Sequence, residues 1–274
     1  MNKQEILFLK NKLSELNLEQ QTDLLENYCD DCEVVVLTTG PSLLDYSSEK
    51  IKDFCKDKIV LSVKTASLKF EDITHFSITN FYNTFQLTGN EKYVTLARRE
   101  TKWGTQNFVN GHLVLRETWT NSFNIKPDIL WGCDNTVQHS RSVCHANRWK
   151  ENELRYQKIN RILGPGILND MVIPVAVHLG ASKIYFLGWD GSRLNYNGNV
   201  KHFYTIEKQY TPTINLINPN FNLNNLKADL EFDEQKIVRN SELSLLNYLN
   251  SKNIESYILS KSSSVNNKFK RFLL

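Results

Sequence analysis

Apolar and polar positions divide the chain into short, almost wholly apolar runs joined by stretches of helical spacing. Glu33–Leu37 (EVVVL), Lys58–Val63 (KIVLSV), His75–Thr79 (HFSIT), Lys183–Leu187 (KIYFL) and Ile254–Leu259 are the runs. Dense β-branched content with no alternation predicts strands buried on both faces of a parallel sheet. Ile6, Leu9, Leu13 and Leu16, then Leu24 and Leu25, predict one or two amphipathic helices over residues 3–28, covering a sheet edge. The most informative stretch is Ile167–Gly188. Met171, Val172, Pro174, Val175, Val177, His178 and Leu179 give a helix apolar on most faces. Gly180 ends it, because only glycine turns left-handed without strain, and the Lys183–Leu187 strand follows at once. Strands alternating with helices predict an α/β fold: a Rossmann-like parallel sheet with helices on both faces.

The alternation fades in two places. Residues 92–155 hold strand-like fragments (YVTLA, HLVLRETW) among Trp103, Trp119, Trp131 and Trp149, and are read as an inserted capping region. Residues 191–227 are rich in Asn and Tyr, and a loop of that length in a compact domain predicts a lid. The expected organisation is a helical lead-in over 1–32, one Rossmann-like domain over 33–262, and a basic tail over 263–274.

Composition narrows the function classes. Hydrophobic residues make up 41% and charged residues 23%, an ordinary soluble balance. A net charge of +3 is too mild to argue for nucleic acid and fits an anionic small substrate. No apolar run is long enough to span a bilayer, and Met1-Asn2-Lys3-Gln4-Glu5 lacks a signal-peptide core. The tail (KFKRFLL) offers at most a peripheral contact with an acidic membrane surface, a frayed end being the plainer account. Five cysteines, an odd number irregularly spaced, argue for reduced thiols and a cytoplasmic setting. Cys29-Asp30-Asp31-Cys32 has the spacing of half a zinc site. The other Cys/His cluster, Cys133, His139, Cys144 and His145, has no matching CxxC, so no metal site is expected.

Candidate chemistry gathers at strand ends, where open α/β sheets hold their ligands. The first strand runs into Thr38-Thr39-Gly40-Pro41-Ser42, a strand–glycine turn–helix order suited to phosphate. Lys64 and Thr65 follow the second strand and Asn80 the third. Gly188-Trp189-Asp190, a glycine turn and a carboxylate, follows the central one. Gly164-Pro165-Gly166 leads into the central helix, with Asn169 and Asp170 in its first turn, where polar groups and N–H donors gather.

The order of these motifs resembles the bacterial lipooligosaccharide sialyltransferases that use CMP-sialic acid. It also resembles the wider superfamily with the motility-associated-factor glycosyltransferases. The residues that carry the resemblance are Gly40-Pro41-Ser42-Leu43 with Tyr46, then Leu179-Gly180, Lys183-Ile184-Tyr185 and Gly188-Trp189-Asp190, and the closing Ile254–Ser260. It covers residues 33–80 and 160–262. It implies a GT-A-like variant of the Rossmann-like fold and a glycosyltransferase acting on a bacterial cell-surface glycan at the inner face of the membrane. The nucleotide-sugar is then a co-substrate, no cofactor is needed, and a homo-oligomer is admitted. Donor binding falls to Thr39, Gly40, Pro41, Ser42, Lys64, Asn80, Gly164, Gly166, Asn169, Gly188 and Tyr210. Catalysis falls to His202, Tyr196, Tyr204 and Asp190, the leaving phosphate being held by Tyr196 and one of Tyr204 or Tyr210.

One departure stands out. The family's general-base histidine precedes the closing helix, where this chain reads Gln235-Lys236-Ile237-Val238-Arg239. His202 in the lid is the substitute, since imidazole titrates near neutrality. No DxD motif follows a strand, so the expected mechanism is metal-independent. Two other readings compete: a pterin pyrophosphokinase-like enzyme, which needs Mg²⁺ and carboxylates to hold it, and a nucleotide-binding module without catalysis.

Overall fold

Val34, Val35, Val36 and Leu37 are wholly buried, and they alternate between two separate hydrophobic cores. Their strand, Cys32–Leu37 (β1), is the centre of the fold. The structure is a computed structural model describing residues 1–79, 91–98, 127–131, 167–190, 202–210, 242–243 and 245–274. The other strands are Ile59–Val63 (β2), Phe76–Thr79 (β3), Val94–Arg98 (β4), Ile129–Trp131 (β5), Ala181–Leu187 (β6), Glu255–Ile258 (β7) and Lys270–Arg271 (β8). They form one eight-stranded sheet in the order β5-β4-β3-β2-β1-β6-β7-β8. Every pairing is parallel. Strand order reverses between β1 and β6, which places the ligand crevice of such a sheet at their carboxyl ends.

Both faces are covered, as a parallel sheet requires. One core takes Val34, Val36, Leu61, Ile184 and Phe186 from the sheet and Ile6, Leu9 and Leu13 from helix α1 (Lys3–Ser14). Helix α2 (Leu18–Leu25) adds Leu25, and the helical residues 245–250 add Leu245 and Leu249. Asn2 and Asn17 start the first two helices with reciprocal capping boxes, which satisfy the orphan N–H groups of the first turn. The opposite core takes Val35, Leu37, Val60, Tyr185 and Leu187 from the sheet. Helix α3 (Ser48–Cys55) adds Ile51 and Cys55, and the short helix α4 (Ala66–Lys69) adds Ala66.

The central helix forms where expected, with a widened start. Leu168–Val172 is a π turn, closed by the Ile173 amide donating to the Leu168 carbonyl. Helix α5 (Ile173–His178) continues it, and Gly180 ends it at φ 93°. Pro174 accounts for the widening: it has no N–H, and its ring would press on the carbonyl four residues back in a regular helix.

Two boundaries differ from the sequence expectation. The region 92–155, read as an insertion, supplies β4 and β5 to the sheet itself. β5 is only three residues long, below the length at which composition signals a strand. Asp128 fixes this edge by accepting from Lys10 Nζ at 2.7 Å and from the Thr95 amide at 2.7 Å. The tail, read as frayed, carries β8. Its Arg271 guanidinium donates to the carbonyls of Ser260 at 3.2 Å and Val265 at 2.7 Å, which ties the end of the chain down. Among the described residues no helix is long and apolar enough to cross a membrane.

Candidate functional site

The carboxyl ends of β1 and β6 are joined by backbone. The Thr38 amide donates to the Leu187 carbonyl and the Gly40 amide to the Gly188 carbonyl, both at 2.8 Å. Gly188 stands at φ 80°, where a side chain is strained, and a Cβ there would meet the Thr38 carbonyl at 2.5 Å. A Cβ on Gly40 would overlap both the Asp190 carboxylate and the Gly188 carbonyl. The two glycines read from sequence as one crevice are therefore in direct contact.

That contact changes what the Gly40 turn does. The Ser42 amide donates to Asp190 Oδ2 at 2.9 Å, and the Leu43 amide to the Gly40 carbonyl at 3.1 Å. Pro41 has no N–H. The Gly40, Ser42 and Leu43 amides of this turn are thus spent inside the protein. A buried carboxylate, Asp190 at 7% exposure, occupies the place an anion would take. Asp190 belongs to the crevice as the clamp that holds the 3-10 turn Pro41–Leu44 against β6. The Ser42 and Thr65 hydroxyls are buried with no hydrogen-bond partner among the described residues.

Lys64 and His202 bring charge and titratable nitrogen to the same crevice. Lys64 leaves β2 in a left-handed conformation, φ 53°, and its amide donates to the Ile78 carbonyl at 2.9 Å. The Ser67 hydroxyl donates to the Lys64 carbonyl at 2.6 Å, and Ser77 donates to Ser67 at 3.0 Å. A chain of buried hydroxyls thus fixes a backbone shape that lysine rarely adopts. His202 Nδ1 lies 3.2 Å from the Thr39 hydroxyl, and its ring stacks on Tyr204 at 4.7 Å. Burial, then the nearby Lys64 ammonium, pushes the His202 imidazole down to about 4, against an opposing hydrogen bond to Thr39. It is neutral at pH 7. Burial pushes the Tyr204 phenol up to about 12, so it remains a donor.

The middle of the expected lid is held down. Phe203 is fully buried in the second core, and its amide donates to the Thr39 carbonyl at 2.8 Å. Glu207 pairs with Lys69 at 2.6 Å in a half-buried contact. Two 3-10 turns, Phe203–Thr205 and Lys208–Tyr210, keep this segment against β1 and α4. Tyr210 packs on Phe203 at 5.7 Å, with the Lys69 ammonium over its ring. Tyr204 is the lid tyrosine that accompanies the imidazole. Asn80, Gly164, Gly166 and Tyr196 lie outside the described residues, as do Cys133, His139, Cys144 and His145. Asn169 sits in the π turn.

The sequence reading missed the serine loop after β7. Ser263 donates to the Trp189 carbonyl and Ser264 to the Asp190 carbonyl, while Ser260 and Ser262 donate to Asp45. Because β7 is parallel to β6, its following loop must come to the same end of the sheet. The run Ser260-Lys261-Ser262-Ser263-Ser264 was the available signal. Among the described residues no group of three or more His, Cys, Asp or Glu side chains could hold a metal ion.

No protein-family model matches the sequence, and neither does any curated protein sequence. Among solved structures the chain is similar to the sialyltransferase CstII from Campylobacter jejuni in complex with cytidine-5'-monophosphate. Identity is 18%, the match covers 89% of this chain and 86% of that one, and the TM-score is 0.44. It is also similar to a variant of that sialyltransferase in complex with CMP, at 18% identity, 88% and 86% coverage and a TM-score of 0.47. A third similar structure holds CstII with CMP-3FNeuAc, at 17% identity, 88% coverage of each chain and a TM-score of 0.42. Likeness of this degree concerns the fold alone.

Proposed function

We propose that this chain is a glycosyltransferase that moves a sugar of the sialic acid or related nonulosonate kind from CMP, or another nucleotide, to a cell-surface glycan. The observation that carries this reading is the convergence of Thr39, Lys64, His202 and Tyr204 on the crevice at the β1–β6 reversal. The motif order quoted above gives it a direction. In such a transfer the bond between the anomeric carbon and the phosphate oxygen breaks while the acceptor hydroxyl attacks. Positive charge builds on the sugar and negative charge on the departing nucleotide phosphate. Lys64 answers the phosphate charge with its ammonium, in the role the Gly40 amides do not fill. Tyr204, neutral far above pH 7, donates a hydrogen bond to the same leaving group. With Nδ1–H donating to Thr39, Nε2 is the ring nitrogen that carries the basic lone pair for the acceptor proton in this reading. Its depressed pKa keeps the imidazole unprotonated at neutral pH.

In this reading the enzyme works without a metal, on the cytoplasmic side of the membrane. The deciding experiment pairs a thermal-shift screen of CMP, UDP, GDP and ATP with a donor-hydrolysis and transfer assay using CMP-sialic acid, with and without chelator. A ligand that binds only the native state raises the melting temperature. The expected outcome is selective stabilisation by one nucleoside monophosphate or diphosphate, and turnover that survives chelation. Stabilisation by ATP with Mg²⁺ alone would move the assignment to pyrophosphoryl transfer. Binding without any turnover would leave a nucleotide-binding module.

A further inference from the structure

The turn that feeds β1 carries two thiols the crevice does not use. Residues 29–32 form a reverse turn closed by the Cys32 amide donating to the Cys29 carbonyl at 3.0 Å, with Asp31 at φ 57°. Such a turn holds its first and last Cα atoms within about 7 Å, and a disulfide spans about 4.4–6.8 Å between Cα atoms. The two thiols are close enough to shift one another, Cys29 downward and Cys32 upward. Both cysteines are half-buried, at the edge of the first core, and the intervening Asp30 and Asp31 are exposed. The turn itself is fixed from outside. The Asn27 amide donates to the His178 carbonyl at 2.8 Å and the Cys29 amide to the Leu179 carbonyl at 2.9 Å. Ser182 donates to the Asp31 carbonyl at 3.1 Å.

We propose that Cys29 and Cys32 form a redox-active dithiol that closes to an intramolecular disulfide by exchange with a small-molecule or protein disulfide. The Cys29 thiolate attacks one sulfur of the incoming disulfide, giving a mixed disulfide and releasing one thiolate. Cys32, having lost its proton, attacks Cys29 Sγ and displaces the second thiolate. Two thiols of the chain lose two electrons and two protons, and the incoming disulfide is reduced to two thiols. The roles follow from this mutual effect of the two thiols. Cys32 lowers the Cys29 thiol below its ordinary range, making Cys29 the attacking group, while the same contact and burial raise Cys32, the resolving group. Cys55 offers a contrast: burial pushes its thiol up to about 12, and it stands 2% exposed.

The turn holds the two Cα atoms near the spacing a disulfide spans. Oxidation would close the β1 end opposite the crevice and lock the turn on which the carboxyl end of α5 is seated. The pair is thus a modification site that is independent of the glycosyltransferase reading.

The test uses the full chain, incubated with oxidised glutathione, blocked with iodoacetamide and mapped by peptide mass spectrometry. The expected result is a Cys29–Cys32 disulfide that dithiothreitol reverses, with Cys29 alkylated first in the reduced protein. In Cys32→Ser, one glutathione should remain on Cys29, since nothing resolves it. The proposal is overturned if Cys29 and Cys32 both stay alkylatable after oxidation, or if Cys32→Ser carries no glutathione at Cys29. A zinc ion that co-purifies at one per chain and protects both thiols would also overturn it in favour of a metal site.

Discussion

His75 provides a sharp test of the packing described for β2 and β3. It is 8% exposed; the Val60 amide donates to its Nδ1 at 2.9 Å, and its Nε2 lies 2.9 Å from the Met1 carbonyl. Nδ1 must therefore be the acceptor and Nε2 the donor, so a second proton would set one N–H against another. Burial, followed by the N-terminal ammonium, pushes the imidazole down to about 4, while the Met1 hydrogen bond and Glu5 oppose it. An unfolded histidine titrates near 6.5. Between these values the unfolded chain binds more protons than the folded one, so stability is full above pH 6.5 and falls as pH drops toward 4. Linkage gives a loss of about 2 kcal/mol at pH 5 and roughly 3 kcal/mol below pH 4 from this residue. Urea unfolding at pH 7.5 and pH 5 measures it. His75→Asn retains an acceptor for the Val60 amide but does not titrate. That variant starts less stable at pH 7.5 and should lose about 2 kcal/mol less than wild type on going to pH 5. Parallel losses in the two proteins would refute the buried, neutral imidazole.

Four further outcomes follow. His202→Ala should lower transfer about a hundredfold or more, with nucleotide binding little changed, and the acid limb that this group sets in wild type should lie near pH 4, not near 6.5. Lys64→Gly relieves a left-handed lysine, so the fold should gain up to about 1 kcal/mol. The same change should weaken nucleotide-induced stabilisation and raise the His202 pKa in an NMR titration, since a repelling charge is gone. Gly40→Ala forces a methyl group onto the Asp190 carboxylate and the Gly188 carbonyl, and should destabilise the chain and abolish nucleotide-induced stabilisation; an unchanged melting temperature counts against the contact. Phe203→Ala should cost roughly 3–5 kcal/mol if its core cavity stays open, and hydrogen exchange should then speed up across residues 202–210 ahead of the rest.

The strands of the sheet's centre were legible because they are buried on both faces, which writes itself into uninterrupted apolar runs such as EVVVL and KIYFL. The edges were not. Ile129–Trp131 is too short to leave a pattern, and Lys270–Arg271 is polar because an edge strand faces water. At the site, sequence order put Gly40 and Gly188 at the ends of neighbouring strands, and their backbones meet there. What it could not supply was the destination of each amide. Whether a glycine turn offers its N–H groups to a ligand depends on whether another part of the chain claims them first, and Asp190, 148 positions from Ser42, does so. The serine loop escaped notice for a related reason: its hydroxyls matter through the carbonyls they meet at Trp189 and Asp190, and hydroxyl composition alone names no partner.

The all-parallel topology has a kinetic consequence. Among the described residues no strand pairs through a tight hairpin, so each of these pairings waits for a crossover to close. β1 meets β2 over a short chain distance, but its other neighbour arrives late: Thr38 and Leu187 are 149 positions apart. Closure entropy grows with the length of the loop, and folding rates fall as contacts become more distant in sequence. During synthesis the strands from β1 to β4 can assemble while one long side of β1 still lacks its partner, with Val34 and Val36 on its face. That exposed edge is a natural substrate for chaperones and for aggregation. The crevice between Gly40 and Gly188 comes into being in the same event that covers it.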